Sequence, residues 1–388
     1  MIRVLFVLTK PELGGAQKHV LSLLENIDKT LFELNLYTAK NGYLAESFCS
    51  LPGVRVFFSS FLDRDFSPFK DILALIDLYF FIKKNRFEIV HTHSSKAGVI
   101  GRIAARLAGV KFIVHTVHGW SFNSYQSKYA YWIAVALERL CARFTHVLIV
   151  VASMDQARGL KLAIKPLDAY VLIRCGIRFN DYQRPVASNR MIRTRLGISP
   201  DCQIVGTVAC WKPQKDPLSF LRMAKELKQT IPEVKFLMVG DGVFKVKINS
   251  FLHDNDLVSD VILTGWRDDI PDILSIMDVF ILTSLYEGLP VVVLEAMAAN
   301  IAVIATDTGG VGDVIIPGET GELVEPGNYP AMTAKVAFLL KNTAIRQRLA
   351  INANLKVMSE EFSIEGTSRS IEQVYLQGLL RMTECPSH

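Results

Sequence analysis

Two carboxylates eight positions apart, Glu287 and Glu295, stand in the stretch SLYEGLPVVVLEAMAANIAVIATDTGG, which is otherwise rich in Val, Leu and Ala. The apolar run VFILTS before it reads as a strand, LYEGLP as its outgoing loop, and Pro290 suits the first turn of the helix that follows. Glu287 then lies on the loop beyond the strand, and Glu295 lies in the second turn of the helix. Carboxylates accept strong hydrogen bonds from hydroxyls, so the pair suits a hydroxyl-rich ligand such as a sugar attached to a ribose. The same letters also fit a solvated Glu287 and a Glu295 favoured by the helix dipole. Spacing alone leaves both readings open.

Other groups fall at comparable places. Lys212 and Lys215, in VACWKPQKDP, follow a strand-like run, where an ammonium could meet charge building on a departing phosphate; they also read as ordinary surface lysines. Gly14 and Gly15, in TKPELGGAQKHV, follow the first strand and open the first helix. A glycine pair there serves either as a plain tight turn or as a place where amides and the helix dipole meet an anion. HTHSSKAG and HTVHGW supply His91, His93, His115 and His118. No Cys or carboxylate accompanies them at a ligand spacing, so no metal site is expected. His91 and His115 read as core or hydrogen-bonding residues, and His118, followed by Gly119 at a strand tip, as a substrate contact.

These residues need a scaffold, and the chain supplies one in two parts. Its 388 residues fit two domains of ordinary size. RVLFVLT, LNLYTA, VRVFF, FEIVHTH, FIVHTVHG and HVLIVVA read as strands, with helix-period segments between several of them. In AQKHVLSLLENI, for example, Val20, Leu21, Leu24 and Ile27 share one face. The pattern weakens at RFNDYQRPVASNR, a polar linker, and begins afresh with QIVGTVA, KFLMVGDG, VILTGW, VFILTS and AVIATD. Alternation of this kind predicts an α/β protein with two tandem doubly wound parallel sheets, whose ligands bind beyond the carboxyl ends of the strands, in a cleft between facing domains.

Composition narrows the function further. Half the residues are apolar and 21% are charged, which excludes a disordered chain. MIRVLFVLTK reads as a buried strand and lacks the cleavage site of a signal peptide, so secretion is not expected. No apolar run reaches the roughly 18 to 20 residues of a membrane span. Cys49, Cys141, Cys175, Cys202, Cys210 and Cys385 show no CxxC spacing, so neither a zinc site nor a disulfide framework is implied and a reducing cytoplasm is expected. Residues 1–200 carry a net charge of +13 and residues 201–388 a net −8. The basic half suits an anionic partner, either a membrane surface or a phosphate-bearing molecule, or is simply a solvated face. No nucleic-acid module is recognisable.

With these motifs in view, the sequence resembles glycosyltransferase family 4, retaining enzymes of the GT-B fold that use a nucleotide-activated sugar. The resemblance covers nearly the whole chain and rests on GGAQ, HTHSSKAGVIGRIAARLAGV, HTVHG, PQK, VGDG and EGLPVVVLEAM in family order; the last carries the family's two glutamates with seven residues between them. It implies an acceptor-binding Rossmann-like domain over 1–183, a nucleotide-sugar-binding one over 184–365, and a helix over 366–388 that packs back on the first. It implies that Glu295 binds the ribose, that Glu287 with the amides of Gly288 and Leu289 holds the donor sugar, and that Lys215, assisted by Gly15 and Lys212, meets the diphosphate. The loop from Gly265 through Trp266 to Arg267 would flank the base, and His118 would lie near the transferred sugar. His118, Glu287 and Lys215 are the implied catalytic set.

One departure from the family pattern is Cys210, which stands where an arginine usually precedes the lysine by five positions; a thiol cannot replace a guanidinium fork. The implied activity is metal-independent transfer, by front-face attack, from a nucleotide-sugar to a saccharide hydroxyl, with a UDP-sugar favoured by family frequency. Asp63 to Asp65 spell DxD, the signature of the other major transferase fold, in a polar loop of the wrong architecture. The basic first domain and SFNSYQSKYAYWIAVALERLCARF would suit a lipid-linked acceptor and peripheral contact at the inner face of a membrane, in surface polysaccharide assembly; those aromatics equally fit the core side of a long helix. Two other readings are a nucleotide-sugar epimerase of the same fold and a non-catalytic sugar-nucleotide-binding protein.

Overall fold

Apolar runs become parallel strands and the helix-period segments become their crossovers, as burial of both sheet faces requires. The computed structural model describes residues 1–183 and 186–384, so Cys385 and two residues of the polar linker lie outside it. Two compact units form: Met1–Gly176 with the segment from Ile364 onward, and Ile177–Ser363.

The first domain runs β1 (Ile2–Val7), α1 (Gly15–Asn26), β2 (Phe32–Ala39), α2 (Ala45–Cys49), β3 (Val54–Ser59), α3 (Pro68–Asn85), β4 (Ile89–His93), α4 (Ser95–Ala108), β5 (Phe112–Val117), α5 (Lys128–Ala142), β6 (Val147–Val150), α6 (Ser153–Lys161) and β7 (Ala169–Leu172). Its seven strands lie in the order β3-β2-β1-β4-β5-β6-β7. Alternate residues of β1 serve opposite layers: Val4 and Phe6 pack with α1, whereas Leu5 and Val7 pack with α3 and α4.

The second domain runs α7 (Val186–Arg195), β8 (Ile204–Val208), α8 (Pro217–Thr230), β9 (Lys235–Val239), α9 (Lys245–Asp254), β10 (Val261–Gly265), α10 (Ile270–Ser275), β11 (Val279–Leu282), α11 (Val291–Ala298), β12 (Ala302–Thr306), α12 (Val311–Val314), β13 (Glu322–Val324), α13 (Tyr329–Lys341) and α14 (Thr343–Val357). Its order is β10-β9-β8-β11-β12-β13, over a core that includes Phe220, Phe236, Ile281 and Ile304. The final helix, α15 (Ile364–Glu384), belongs to the first domain, where Ile371 and Tyr375 lie in the core beside Phe32 and Phe112. A Cβ at Gly378 would overlap the Phe112 ring, so a glycine allows this close approach.

Strand order reverses between β1 and β4 in the first sheet and between β8 and β11 in the second. Loops leaving the two strands at such a point diverge to opposite faces and open a crevice at their carboxyl ends. The Gly14–Gly15 turn and the end of β4 border the first crevice; residues 209–215 and 283–289 border the second. Among the described residues no helix is long and apolar enough to cross a membrane.

Candidate functional site

The second crevice is built by two loops stitched together by backbone and side-chain hydrogen bonds. The Leu285 amide donates to the Gln214 carbonyl at 2.8 Å, and Gln214 Nε2 donates to the Tyr286 carbonyl at 2.8 Å. Thr283 Oγ1 donates to the carbonyl of Lys215 at 2.8 Å. Lys215 ends a short 3₁₀ turn, Pro213–Lys215, and Asp216 caps α8 with its carboxylate in a left-handed conformation of φ 41°. These bonds aim the Lys215 ammonium at Glu287, with which it forms an ion pair. The carboxylate side chain is only 7% exposed and the lysine 17%, so the pair is oriented in low dielectric and its charges are weakly screened.

The loop that carries Glu287 is held by a third one. Gly309 has φ 56°, and a Cβ there would overlap the Glu287 carbonyl; the Gly310 amide donates to the Gly288 carbonyl at 2.5 Å. The Gly-Gly that closes the opening stretch is thus what lets the β12 loop lie against the Glu287 loop. Gly240 and Gly242, in VGDG, serve the other side in the same way: their Cβ positions would overlap Ala209 and Trp211. Trp211 is buried and its amide donates to the Asp241 carbonyl at 2.9 Å, which anchors the segment holding Cys210 and Lys212.

Glu295 is buried in α11, where Pro290 occupies the N-cap. Its Oε1 accepts a hydrogen bond from the Tyr182 hydroxyl at 2.8 Å. Burial and the adjacent carboxylate push the Tyr182 phenol far up, so it remains a donor. Tyr182 gives no signal in the sequence, because it lies 113 residues from its partner, in the polar stretch expected to be linker. Arg267 forms a fork with Asp269, Nε to Oδ1 at 2.7 Å and Nη2 to Oδ2 at 2.5 Å, which ties it to its own loop; Trp266 beside it is exposed. Gly288 and Leu289 are buried between Glu287 and α11 in sequence.

At the first crevice Gly15 opens α1, exposed, with nothing within 4 Å of where its side chain would be. Next to it the structure gathers more imidazoles than the motifs suggested. His19 on α1, His93 at the end of β4 and His118 after β5 form a cluster, with the His19 and His118 rings 5.1 Å apart and His93 Nδ1 3.1 Å from His118 Nε2. His93 stacks on Phe6 at 5.6 Å. His91 packs its ring 4.2 Å from that of His93 but commits both nitrogens to the core, to the Tyr375 hydroxyl at 2.5 Å and Thr116 Oγ1 at 2.7 Å, and His115 bonds Thr92 Oγ1 at 2.9 Å. Ser94, which follows His93, is held at φ 64° and bonds Thr9 Oγ1 at 2.7 Å, a strained residue at the crevice.

Burial pushes His19 down to about 4 and His91 to about 3; burial and neighbouring imidazoles hold His93 and His118 well below the usual range. The cluster is therefore neutral, and one ring must donate to the other. Donation from His118 Nε2 would leave a His93 proton on Nε2, which is buried without a partner. An unpaired buried N–H is the costlier fault, so hydrogen bonding assigns the proton to His93 Nδ1 and leaves His118 protonated on Nδ1.

A stability prediction arises here. The unfolded chain protonates His19 near its ordinary value of 6.5 whereas the folded chain does so only near 4, so between those values the unfolded state binds more protons. Stability is full above pH 6.5 and falls with pH below it, by about 1.4 kcal/mol per unit for each such histidine. Urea titrations from pH 7 to 4.5 should show a shallower loss in His19→Gln than in the wild type.

Among the described residues no group of three or more His, Cys, Asp or Glu side chains is arranged to hold a metal ion.

Two family models match the chain in succession: Glycosyltransferase Family 4 over residues 13–179 and Glycosyl transferases group 1 over residues 188–356. A UDP-Gal:alpha-D-GlcNAc-diphosphoundecaprenol alpha-1,3-galactosyltransferase of Escherichia coli is 36% identical over 313 residues, 80% of each chain. Among solved structures, sucrose-phosphate synthase of Thermosynechococcus elongatus superposes with a TM-score of 0.86 at 21% identity, over 98% of this chain and 100% of that one. HepE of Anabaena, crystallised with UDP and glucose, gives 0.83 at 20% identity over 97% and 100%.

Proposed function

The chain belongs to glycosyltransferase family 4, and from that premise we propose that it transfers a sugar, with retention of configuration, from a UDP-sugar to a hydroxyl of a lipid-linked saccharide in surface polysaccharide assembly. The uridine donor is supported by the UDP in HepE and the lipid-linked acceptor by the name of the galactosyltransferase relative. The single observation that carries the reading is the Lys215–Glu287 pair held at the strand-order reversal of the second domain.

The chemistry assigned to these groups balances simply. The acceptor oxygen bonds the anomeric carbon as that carbon's bond to the diphosphate oxygen breaks, both on one face, and the hydroxyl proton leaves with the departing phosphate. Lys215 meets the charge that develops there, in place of a metal, with Lys212 and the Gly15 turn in support. Glu287, with the Gly288 and Leu289 amides, holds the sugar, Glu295 binds the ribose, Trp266 and Arg267 flank the base, and His118 serves turnover rather than nucleotide binding. Cys210 supplies no positive charge, which leaves more of the leaving-group charge to Lys215.

Tyr182→Phe frees the Glu295 carboxylate to rotate, so UDP should bind about fivefold more weakly by calorimetry, the scale of one lost hydrogen bond. His93→Leu removes the donor that fixes the His118 tautomer; kcat should fall roughly tenfold with KM for the donor unchanged, and His93→Asn, whose amide can take the place of Nδ1, should restore most of it.

The test of the whole reading is UDP release from a panel of UDP-, GDP- and ADP-sugars in EDTA, with and without a diphosphoundecaprenol-linked saccharide. Release from a UDP-sugar that requires the acceptor supports it. An isomerised sugar in water would replace it with the epimerase reading. Tight UDP binding without consumption of any donor would favour the non-catalytic reading, for which Cys210 is the specific ground, and Cys210→Arg would then be assayed for a gain of transfer.

A further inference from the structure

Two helices of the first domain are apolar on the side that faces water. In α3 the inner face carries Ala74, Leu78 and Ile82, while Phe69, Ile72, Ile76 and Phe80 recur at helical spacing on the outer face, with Phe69 73% and Phe80 63% exposed. In α5 Val135 and Cys141 face inward, whereas Tyr129, Trp132, Ile133, Leu137 and Leu140 form an outer stripe, with Tyr129 85% and Ile133 62% exposed. α4 packs against both, so the stripes flank it in one helical layer; its own Leu107 is exposed. The aromatic segment around α5 is thus divided: Phe122 is buried and Tyr131 packs against its core, whereas Tyr125, Tyr129 and Trp132 are exposed. Monomeric soluble surfaces rarely expose apolar residues in such concentration.

Charge identifies the occupant. The acids of this layer are turned inward and paired: Asp71 with Lys96, Asp77 with the hydroxyls of Tyr37 and Ser59, and Glu138 with Arg102. α4 contains none. The bases Lys70, Lys83, Lys84, Lys128, Arg139 and Arg143 are all exposed. Of the remaining acids, Glu88 just past α3 shares a groove with Lys83 and Lys111 and accepts from the Arg3 amide at 2.9 Å, and Asp63 and Asp65 lie on the loop before α3. Two copies of this face meeting across a two-fold axis would oppose like charge to like charge, whereas an anionic bilayer complements it. Tyr and Trp, with an apolar body and a polar tip, suit the headgroup level.

We infer that the α3–α4–α5 layer is a membrane-docking face that inserts the α3 and α5 stripes into the headgroup region of a phosphatidylglycerol-rich bilayer. The inference deepens the proposed function, for a lipid-linked acceptor has to be met at a bilayer surface. In salt the attraction weakens while the apolar contact persists, so binding should fall with ionic strength without vanishing.

The test is sedimentation of the full-length protein with vesicles of phosphatidylcholine alone or mixed with phosphatidylglycerol. Wild type should partition to the mixed vesicles at least tenfold more strongly than to phosphatidylcholine. Phe80→Glu with Ile133→Glu should lower that partition at least tenfold, and Lys83→Gln with Lys84→Gln several-fold with a flatter salt dependence; both pairs sit at exposed positions, and unchanged melting would certify their folding. Equal partition of wild type and variants overturns the inference, as does a wild-type dimer that the Glu variants dissolve without vesicle binding. Calorimetric UDP binding and transfer to a detergent-soluble acceptor separate the two readings. Vesicle binding as expected with no transfer leaves the face standing and removes the function, and transfer with variant-independent vesicle binding does the reverse.

Discussion

Lys215→Ala is expected to lower kcat for sugar transfer by roughly two to three orders of magnitude, the range that follows removal of one oriented charge-stabilising group from a water-poor site. UDP affinity should fall far less, because the contacts proposed for Glu295, Trp266 and Arg267 do not involve the ammonium. The substitution has a second effect that the geometry makes unavoidable: it strands the Glu287 carboxylate, 7% exposed, without its cation. Lys215→Ala should therefore melt below the wild type, and Lys215→Ala with Glu287→Gln should regain that loss while transfer stays low. A double-mutant cycle run on both melting and kcat separates the two effects. If the double variant recovers transfer, the ammonium is a structural counterion and its assigned role falls.

Glu138→Ala should destabilise the first domain by about 3–5 kcal/mol, the usual consequence of leaving one buried charge alone. Its partner Arg102 is fully buried; Nη2 donates to Glu138 at 2.8 Å and Nε to the Gly98 carbonyl at 2.8 Å. The pair ties α5 to α4, and α4 begins beside His93 and Ser94. Replacing both residues with apolar ones of similar volume should be close to neutral, because the desolvation cost disappears with the charges. Urea unfolding of the single and double variants measures both statements, and a single variant as stable as the wild type would refute the first.

Much of this architecture was legible in the letters because both sheets are buried on both faces, so their central strands read as continuous apolar runs. β7 and β13 escaped for the converse reason: they are edge strands of four and three residues, largely without full burial, and carry little periodic signal. Glu287 and Lys215 stand out in the sequence because they follow strand ends, and Glu295 because it lies in the helix that comes next. Their supports do not, since Tyr182, Thr283 and Gly309 act through contacts distant in sequence that no local pattern encodes. His19 was hidden by its helix, where one polar residue beside Val20 looks ordinary. The α3 and α5 stripes show the limit most plainly: periodicity shows that a helix has an apolar face but not which way that face points.

The return of α15 to the first domain governs the order in which the newly made chain can mature. Phe112 and Tyr375 share one core but are separated by the entire second domain in sequence. At about 5–20 residues per second, a ribosome needs roughly ten to forty seconds to travel from Ile177 to Ser363, and through that interval the first sheet lacks the helix that covers Phe112. The second domain is contiguous and waits for nothing downstream. The part synthesised first is thus the last to be completed, and a message truncated before codon 364 would yield a finished second domain joined to a first one with a face of its sheet open to chaperones and proteases.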